Sequence, residues 1–467
     1  WRPPGLLRWL ASLHAPTARM VSGRFGCSVL VLAFFLICLI EWKDGATPIV
    51  RRGGENVRAT KLPLAQRQRI VRKAAPDIAM YLPLKFDRAY DNPCFQNGSS
   101  LLCLPAFFVA GGMQCGGWDL WRRLRAHEHI SDHHDAAPHW WTNHPRSTAG
   151  SFDRYLSLFS DRKTVAQVRA QPRTLLGDVS PASFAFMFAE QLRLHYQYLD
   201  AFDACARACR GRAPPAAVAR RCASREYTRR NEDMLHCYAE ARAATAPLGF
   251  NVPALAATVM RGAALKVVIL LRDPAVRLWV AFNTYGQYPA RYGGLAQRGF
   301  ESYFGNQSAA WAACAREHGA HACALRFEGH GPEQAGVYYH CDQLIKGMYS
   351  EYMPEWQAYI PPQRLLVLRT EDYFARPLRR VRQVWRLLGL RPPTESERRE
   401  AEGGAAKDEL LQVRAEHGEP PAAAFARVRA FYAPFNAALA AQLGDPSFLW
   451  GWPEQDEQAA GREAKAK

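Results

Sequence analysis

The 467-residue chain lacks both common phosphate-binding signatures. No G-x4-G-K-[ST] segment occurs, which excludes a Walker-type nucleotide triphosphatase, and no G-x-G-x-x-G occurs, which excludes the dinucleotide-binding fingerprint. No internal repeat is evident, so repeat architectures are excluded. Basic residues are not interleaved with aromatics in the RNA-binding manner, which argues against a nucleic-acid partner. No acidic residue precedes Glu41, and no small-x-small cleavage site follows Ile40, where Glu41-Trp42-Lys43-Asp44 comes directly. Cys205, Cys209, Cys222 and Cys237 fit no tight zinc spacing. They read as disulfides within an inserted helical hairpin, with a zinc site as the rival.

What is present is a basic chain with one apolar run. Lys+Arg number 60 against Asp+Glu 43, a formal net charge of +17. That excess favours anionic partners: nucleic acid, an anionic membrane or an acidic glycan. Phe25 to Ile40 carries no charge, and Arg2, Arg8, Arg19 and Arg24 precede it. A span needs about 20 apolar residues, with a lower limit near 17, so the expectation is an uncleaved signal-anchor at 25–42, with a cleaved signal as the alternative. Positive charge on its N-terminal side places residues 1–24 in the cytoplasm and the body in the lumen. Cys94/Cys103 and Cys314/Cys323 each flank a short segment and read as local disulfide loops. Asn97-Gly98-Ser99 and Asn306-Gln307-Ser308 are glycosylation sequons inside or beside those loops. The secretory pathway is therefore the expected compartment.

The remaining chain divides by composition. Residues 43–93 read as a stem with a short helix at Leu64–Ala75, and a folded domain is expected over 94–450. A helical insertion is expected near 188–245, and 451–467 reads as a polar tail. Buried strands are expected at Leu104–Ala110, Leu265–Leu271 and Arg364–Leu368. Helices are expected over Asp119–His127, Ala275–Tyr285 and Pro377–Leu388. Strands alternating with helices imply an α/β fold with a central, mostly parallel sheet flanked by helices.

The most informative stretch is Gly111-Gly112-Met113-Gln114-Cys115-Gly116-Gly117-Trp118-Asp119-Leu120, between a strand and a helix. Small residues let the backbone curl so that successive N–H groups point inward, and the helix N-terminus adds partial positive charge. Such a turn binds phosphate without a cationic side chain. The plain alternative is a Gly-rich turn with no ligand.

This stretch resembles the 5′-phosphosulfate loop of the carbohydrate sulfotransferases, where a strand leads into P-K-C-G-T-T-x-L and a helix. Further segments resemble that family in order: Pro138-His139-Trp140-Trp141-Thr142, Gly177-Asp178-Val179-Ser180-Pro181-Ala182-Ser183, and Leu271-Arg272-Asp273-Pro274-Ala275-Val276-Arg277-Leu278, similar to the 3′-phosphate motif. Gly347-Met348-Tyr349, Leu368-Arg369-Thr370-Glu371-Asp372 and Phe431-Tyr432-Ala433-Pro434-Phe435-Asn436 continue it, over roughly three quarters of the chain from about Cys103 to Trp450.

The resemblance implies a P-loop-like sulfotransferase fold in a single-pass type II Golgi membrane protein. It implies transfer of a sulfuryl group from 3′-phosphoadenosine 5′-phosphosulfate to a hydroxyl of a glycan, galactosamine-type or related, without a metal. Gln114, Cys115, Gly116, Gly117, Trp118, Asp119 and Arg272 are the implied donor-binding residues. Departures from the family pattern are specific. Gln114 stands at the loop Lys, Gly117-Trp118 at the Thr-Thr pair, Ala136-Ala137 at the Lys-Glu that carries the base, and Val280 at the motif Ser. His139 is the candidate replacement base, with Asp135, which precedes the missing carboxylate, and Asp178, at a strand end, as further candidates. A packed ring is the alternative for His139 and a structural cap for Asp178. A catalytically impaired relative that binds nucleotide or anionic glycan is the alternative function.

Overall fold

The computed structural model describes residues 61–131, 138–141, 151–185, 250–285, 288, 292, 297–326 and 343–451. The basic tail, the apolar run, the insertion near 188–245 with its four cysteines, Asp135, Ala136, Ala137 and the polar tail beyond 451 lie outside the described residues. The chain divides into two units, Trp1–Gly54 and Glu55–Lys467, and every described residue belongs to the second. No described helix is long and apolar enough to cross a membrane.

Among the described residues the centre is a four-stranded parallel sheet. Strands β3 (Phe107–Val109), β4 (Gly177–Val179), β5 (Lys266–Leu271) and β6 (Leu365–Arg369) lie in the order β4-β3-β5-β6. Two earlier strands, β1 (Cys94–Asn97) and β2 (Ser100–Cys103), form a separate antiparallel hairpin. Cys94 and Cys103 face each other in its register and are disulfide-bonded, as are Cys314 and Cys323. Both local loops read from the sequence are thus closed.

A parallel sheet covered on both faces needs apolar residues at every position. Along β5, Val267, Ile269 and Leu271 enter one hydrophobic cluster while Val268 and Leu270 enter another. The second face is covered by α2 (Gly117–Leu124) and α11 (Pro377–Leu388), through Leu120, Trp121, Leu124, Val381, Val384, Trp385 and Leu388. The first face is covered partly by α5 (Val252–Val259), α6 (Pro274–Thr284), α9 (Tyr349–Tyr359) and α14 (Ala422–Leu443). The numbering also counts α1 (Leu64–Ala74), α3 (Phe152–Phe159), α4 (Arg162–Ala170), α7 (Gln297–His318), α8 (Ala320–Arg326), α10 (Thr370–Ala375), α12 (Glu395–Glu402) and α13 (Glu409–His417).

Element ends differ from expectation for local reasons. β3 is shorter than Leu104–Ala110 because Leu104 donates its N–H to Pro93 beside the hairpin and Pro105 has none to donate. α2 begins two residues before Asp119 and stops at Leu124, where the chain tightens through Ala126 N–H to Arg123 O and His127 N–H to Leu124 O. α6 starts on Pro274 behind an Asp273 side-chain cap to the Ala275 N–H. In the segment read as a stem, α1 packs on the body: Val71 is buried, and buried Arg67 donates to Ala254 O at 3.2 Å and Thr258 Oγ1 at 2.7 Å.

Gly111 marks the tightest point. A Cβ there would lie 2.4 Å from the Leu270 backbone N, and the neighbouring strand cannot give way. We expect Gly111→Ala to cost about 3 kcal/mol or more, the upper end for overpacking, read as a shift in the urea midpoint.

A second buried constraint joins α8 to α9. His321 lies 3.1 Å from Glu351 and 3.3 Å from Glu355, both buried, and Asn251 donates to Glu355 at 2.6 Å. Burial alone would lower the imidazole pKa, but bonds to the two carboxylates prevail and push it up to about 9. Its folded value exceeds the ordinary 6.5, so the stabilisation is complete below 6.5 and is lost as pH rises through 9. Thermal unfolding should show a loss of about 2–3 kcal/mol between pH 6 and 10 that His321→Gln removes.

Candidate functional site

The strand order places a switch point between β3 and β5, where successive connections leave in opposite directions. Ligands of open parallel sheets bind there, outside the carboxyl ends of the strands. The Gly111–Gly116 loop follows β3, and Arg272-Asp273 follows β5, so both flank that crevice. Ser180-Pro181 follows β4 and Thr370 follows β6 at the same edge.

The loop is held by its backbone. Gly112 donates to Leu270 O at 3.0 Å, and the Thr370 hydroxyl donates to Cys115 O at 2.8 Å. Gly116 caps α2 at φ +85°, with the Phe374 ring 2.8 Å from where a Cβ would stand. Only glycine meets both demands. Leu120 makes the bond back to Gly116 O, at 3.1 Å, so the N–H groups of Gly117, Trp118 and Asp119 precede the first intrahelical bond.

The loop side chains divide by what they reach. Gln114 has φ +57°, donates to the Tyr285 hydroxyl at 2.9 Å, and keeps Oε1 buried without a hydrogen-bond partner among the described residues. The Cys115 thiol is buried and burial pushes its pKa up to about 11, so it is inert as a nucleophile at neutral pH. Trp118 is 42% exposed. Asp119 turns inward: its carboxylate accepts from Arg123 (2.7 Å), Arg122 (2.9 Å), the Tyr373 hydroxyl (2.6 Å) and the Lys407 N–H (3.2 Å). Burial would raise its pKa, but these donors hold it below the ordinary carboxylate value. Asp119 thus has only its main-chain N–H left to offer a ligand.

Arg272 is 1% exposed, and its carbonyl accepts from the Tyr349 hydroxyl at 2.9 Å. Its Nη2 meets Asp408 Oδ1 at 2.5 Å, with Glu409 at 3.8 Å. Nε and Nη1 are buried with no hydrogen-bond partner among the described residues. The guanidinium lines a cavity of about 310 Å³ with Arg369, Phe374, Asp408, Arg429 and Trp450. A buried cation with two unused donors beside a curled loop is suited to an oxyanion with several acceptor oxygens. Sequence reading did not single out Asp408, since no motif marks it. Nor did it give a role to Arg277, buried one turn into α6 and bonded to the Gln343 side chain at 3.1 Å and to the Gln343 carbonyl.

His139 sits beside the loop through β4. Its N–H donates to Ser180 Oγ at 2.9 Å, and Pro181, the next residue, lies 3.1 Å from a Cβ built on Gly117. His139 adopts φ +48°, a strained conformation for a non-glycine residue. Burial, and then the nearby Lys346 charge, lower its pKa, so the ring is neutral at pH 7. Lys346 is itself buried and carried no sequence signal. Asp178 accepts from Ser180 Oγ at 2.5 Å and from the Tyr155 hydroxyl at 2.7 Å, which is a structural role. Trp140 and Trp141 pack with Tyr155 in the core. Among the described residues, no group of three or more His, Cys, Asp or Glu gathers as a metal-ligand set. The sequon residues Asn97 and Asn306 are both exposed.

The Asp119 junction should dominate local stability. Tyr373→Phe removes one bond to a charged acceptor and should cost about 1.5–3 kcal/mol. Asp119→Ala leaves buried Arg123 without its counter-ion and should cost about 3–5 kcal/mol, both measured by denaturant unfolding.

No protein-family model matches the chain. Carbohydrate sulfotransferase 15 of Homo sapiens is 23% identical over 370 residues, covering 75% of this chain and 55% of its own. The Rattus norvegicus protein of the same name is 23% identical over 371 residues, with the same coverage. The chain therefore spans about half the length of the curated relatives it matches. Among solved structures, a sulfotransferase from Alicyclobacillus acidocaldarius aligns over 73% of this chain and 96% of its own, at 15% identity and TM-score 0.34. The resemblance to carbohydrate sulfotransferases read from the loop and strand-end segments is thus matched by distant homology over 75% of the chain.

Proposed function

We propose that this distant homologue of the carbohydrate sulfotransferases holds 3′-phosphoadenosine 5′-phosphosulfate across the β3–β5 switch point and transfers its sulfuryl group to a glycan hydroxyl. The observation that carries the reading is Arg272: a buried guanidinium with two unused nitrogens, in a cavity at the edge of a curled, amide-rich loop. The donor, when bound, supplies the activated sulfuryl group. Arg272 would hold the 3′-phosphate through Nε and Nη1, and the loop amides with the N-terminus of α2 would hold the 5′ side. Phe374 and Trp450 offer aromatic surface in the same cavity. His139, neutral through burial and Lys346, would accept the proton of the acceptor hydroxyl.

The same reading extends to the rest of the chain. It places residues 1–24 in the cytoplasm, an anchor at 25–42, a stem after it and the body in the Golgi lumen. The two closed disulfides and the exposed sequons Asn97 and Asn306 support an oxidising, glycosylating compartment. The acceptor class proposed is a galactosamine-type or related polysaccharide. A second reading, binding without turnover, is favoured by Gln114 in place of a loop cation and by Asp408, which already neutralises Arg272.

Radiolabelled donor and a panel of desulfated glycans separate the two. Transfer that His139→Gln abolishes, while adenosine 3′,5′-bisphosphate still binds, supports the transferase. Binding with no transfer to any acceptor supports the second reading. Because the His139 pKa lies below the ordinary 6.5, the transfer rate should hold steady above that pH and fall on its acid side. Arg272→Ala should weaken bisphosphate binding on the order of 100-fold. Asp408→Asn should tighten it about tenfold, by removing the carboxylate that an incoming phosphate displaces.

A further inference from the structure

The α11 helix carries a second cationic feature away from the Arg272 cavity. Its buried face holds Val381, Val384, Trp385 and Leu388. Its opposite face carries Arg379, Arg382 and Arg386, all exposed. With Arg376 and Arg123 they line a groove of about 510 Å³ in which, among the described residues, Glu402 is the one acidic lining residue.

Helix electrostatics explain only part of this stripe. Arg379 lies in the first turn, where a cation meets the positive end of the helix dipole. Arg382 and Arg386 are like charges four apart, which repel. Among the described residues, none of Arg379, Arg382 and Arg386 has a carboxylate within 4.0 Å, although Arg380 on the same helix is paired with Asp372 at 2.8 Å. Arg386 sits in the last turn, where the dipole favours a cation, so Arg379 and Arg382 are the two set against local helix electrostatics; together the three cations in a concave groove point to an anionic occupant.

We propose that this groove is a docking site for a linear sulfated polysaccharide, separate from the site of transfer. The choice of a glycan rests on the functional reading above, and two features of the groove agree with it. Among the described residues no aromatic side chain lines it, so they offer no platform for stacking nucleic-acid bases. Among the described residues the exposed large apolar side chains are Met80, Trp118, Leu411 and Leu449, none of them in the groove, whose apolar lining is limited to Pro377 and the half-buried Leu378, a poor edge for insertion into a membrane. Arg379 to Arg386 spans about 10 Å along the helix axis, which suits charges repeated along an extended chain. Arg376 directly follows α10, whose Phe374 lines the Arg272 cavity. A chain held in the groove is therefore tethered one short helix away from the proposed donor pocket.

The test compares the full protein with R379Q/R382Q/R386Q and with the charge-retaining R379K/R382K/R386K. The probes are fluorescent chondroitin sulfate chains, chemically desulfated chondroitin, a single-stranded DNA oligomer and phosphatidylserine vesicles. The glutamine variant should lose at least about tenfold in affinity for the sulfated chain, with a shallower salt dependence. The lysine variant should stay within a few-fold. Unchanged affinity in the glutamine variant overturns the proposal, as does a preference of the native groove for DNA or vesicles over the sulfated chain. Adenosine 3′,5′-bisphosphate binding, measured in parallel, should be unchanged in the glutamine variant. If the nucleotide binds neither protein while the sulfated-chain affinity still drops, the donor reading fails and the groove stands.

Discussion

The candidate site depends on one buried carboxylate. Asp119 takes hydrogen bonds from two arginines of its own helix, from Tyr373 on α10 and from the backbone of Lys407. The donors come from the loop helix itself, from the helix after β6 and from the segment that leads to Asp408. The arginines extend the tie: Arg122 reaches Gly403 O at 2.9 Å and Arg123 reaches Ala401 O at 2.6 Å. Through these bonds the loop helix, the segment after β6 and the chain that presents Asp408 are held in one arrangement. A charge so deeply buried is tolerable only because its donors replace water. Its role is to position the loop whose amides face the crevice.

Against that framework Arg272 stands out. Its neighbour Asp273 is fully engaged as a helix cap and lies 3.3 Å from Arg429. Arg272 has one edge satisfied by Asp408 and another unused. A purely structural arginine at this depth would have its donors paired, as stability demands. The Asp408 contact gives the pocket an internal anion, so any ligand phosphate competes with a carboxylate the protein itself supplies. The partner of Arg272 is thus not its chain neighbour Asp273 but a residue 136 positions away.

The sheet, its flanking helices and the strand–loop–helix were legible because their signals are local. Apolar runs of four to seven residues ending at Gly111-Gly112, Arg272-Asp273 and Arg369-Thr370 mark strands, and α11 has the bounds read from the sequence. The local disulfides were legible for the same reason. The ends of β3 and α2 were not, since they are set by Leu104 bonding to Pro93 and by a tightened last turn. In the site, Arg272 could be found by its place after a strand. Asp408, Lys346 and Tyr373 could not, because each arrives from a distant segment through tertiary packing. Asp119 was readable as part of the loop, but its inward turn was not, since nothing in the sequence shows that four donors converge on it.

The close approach of Gly111 to Leu270 separates what this loop can lose from what it cannot. The cradle is made of amides, so the side chains at 114 and 118 can change without altering its outline, while Gly117 is held by the nearby Pro181 ring. The position that packs backbone against backbone has no such latitude. A loop of this kind keeps its shape while the letters of its motif drift, so pattern recognition keyed to side chains fades before the geometry does. Variation at Gly111 will therefore register as absence of protein, whereas variation at Gln114 or Trp118 will register as altered chemistry in a protein that is still present.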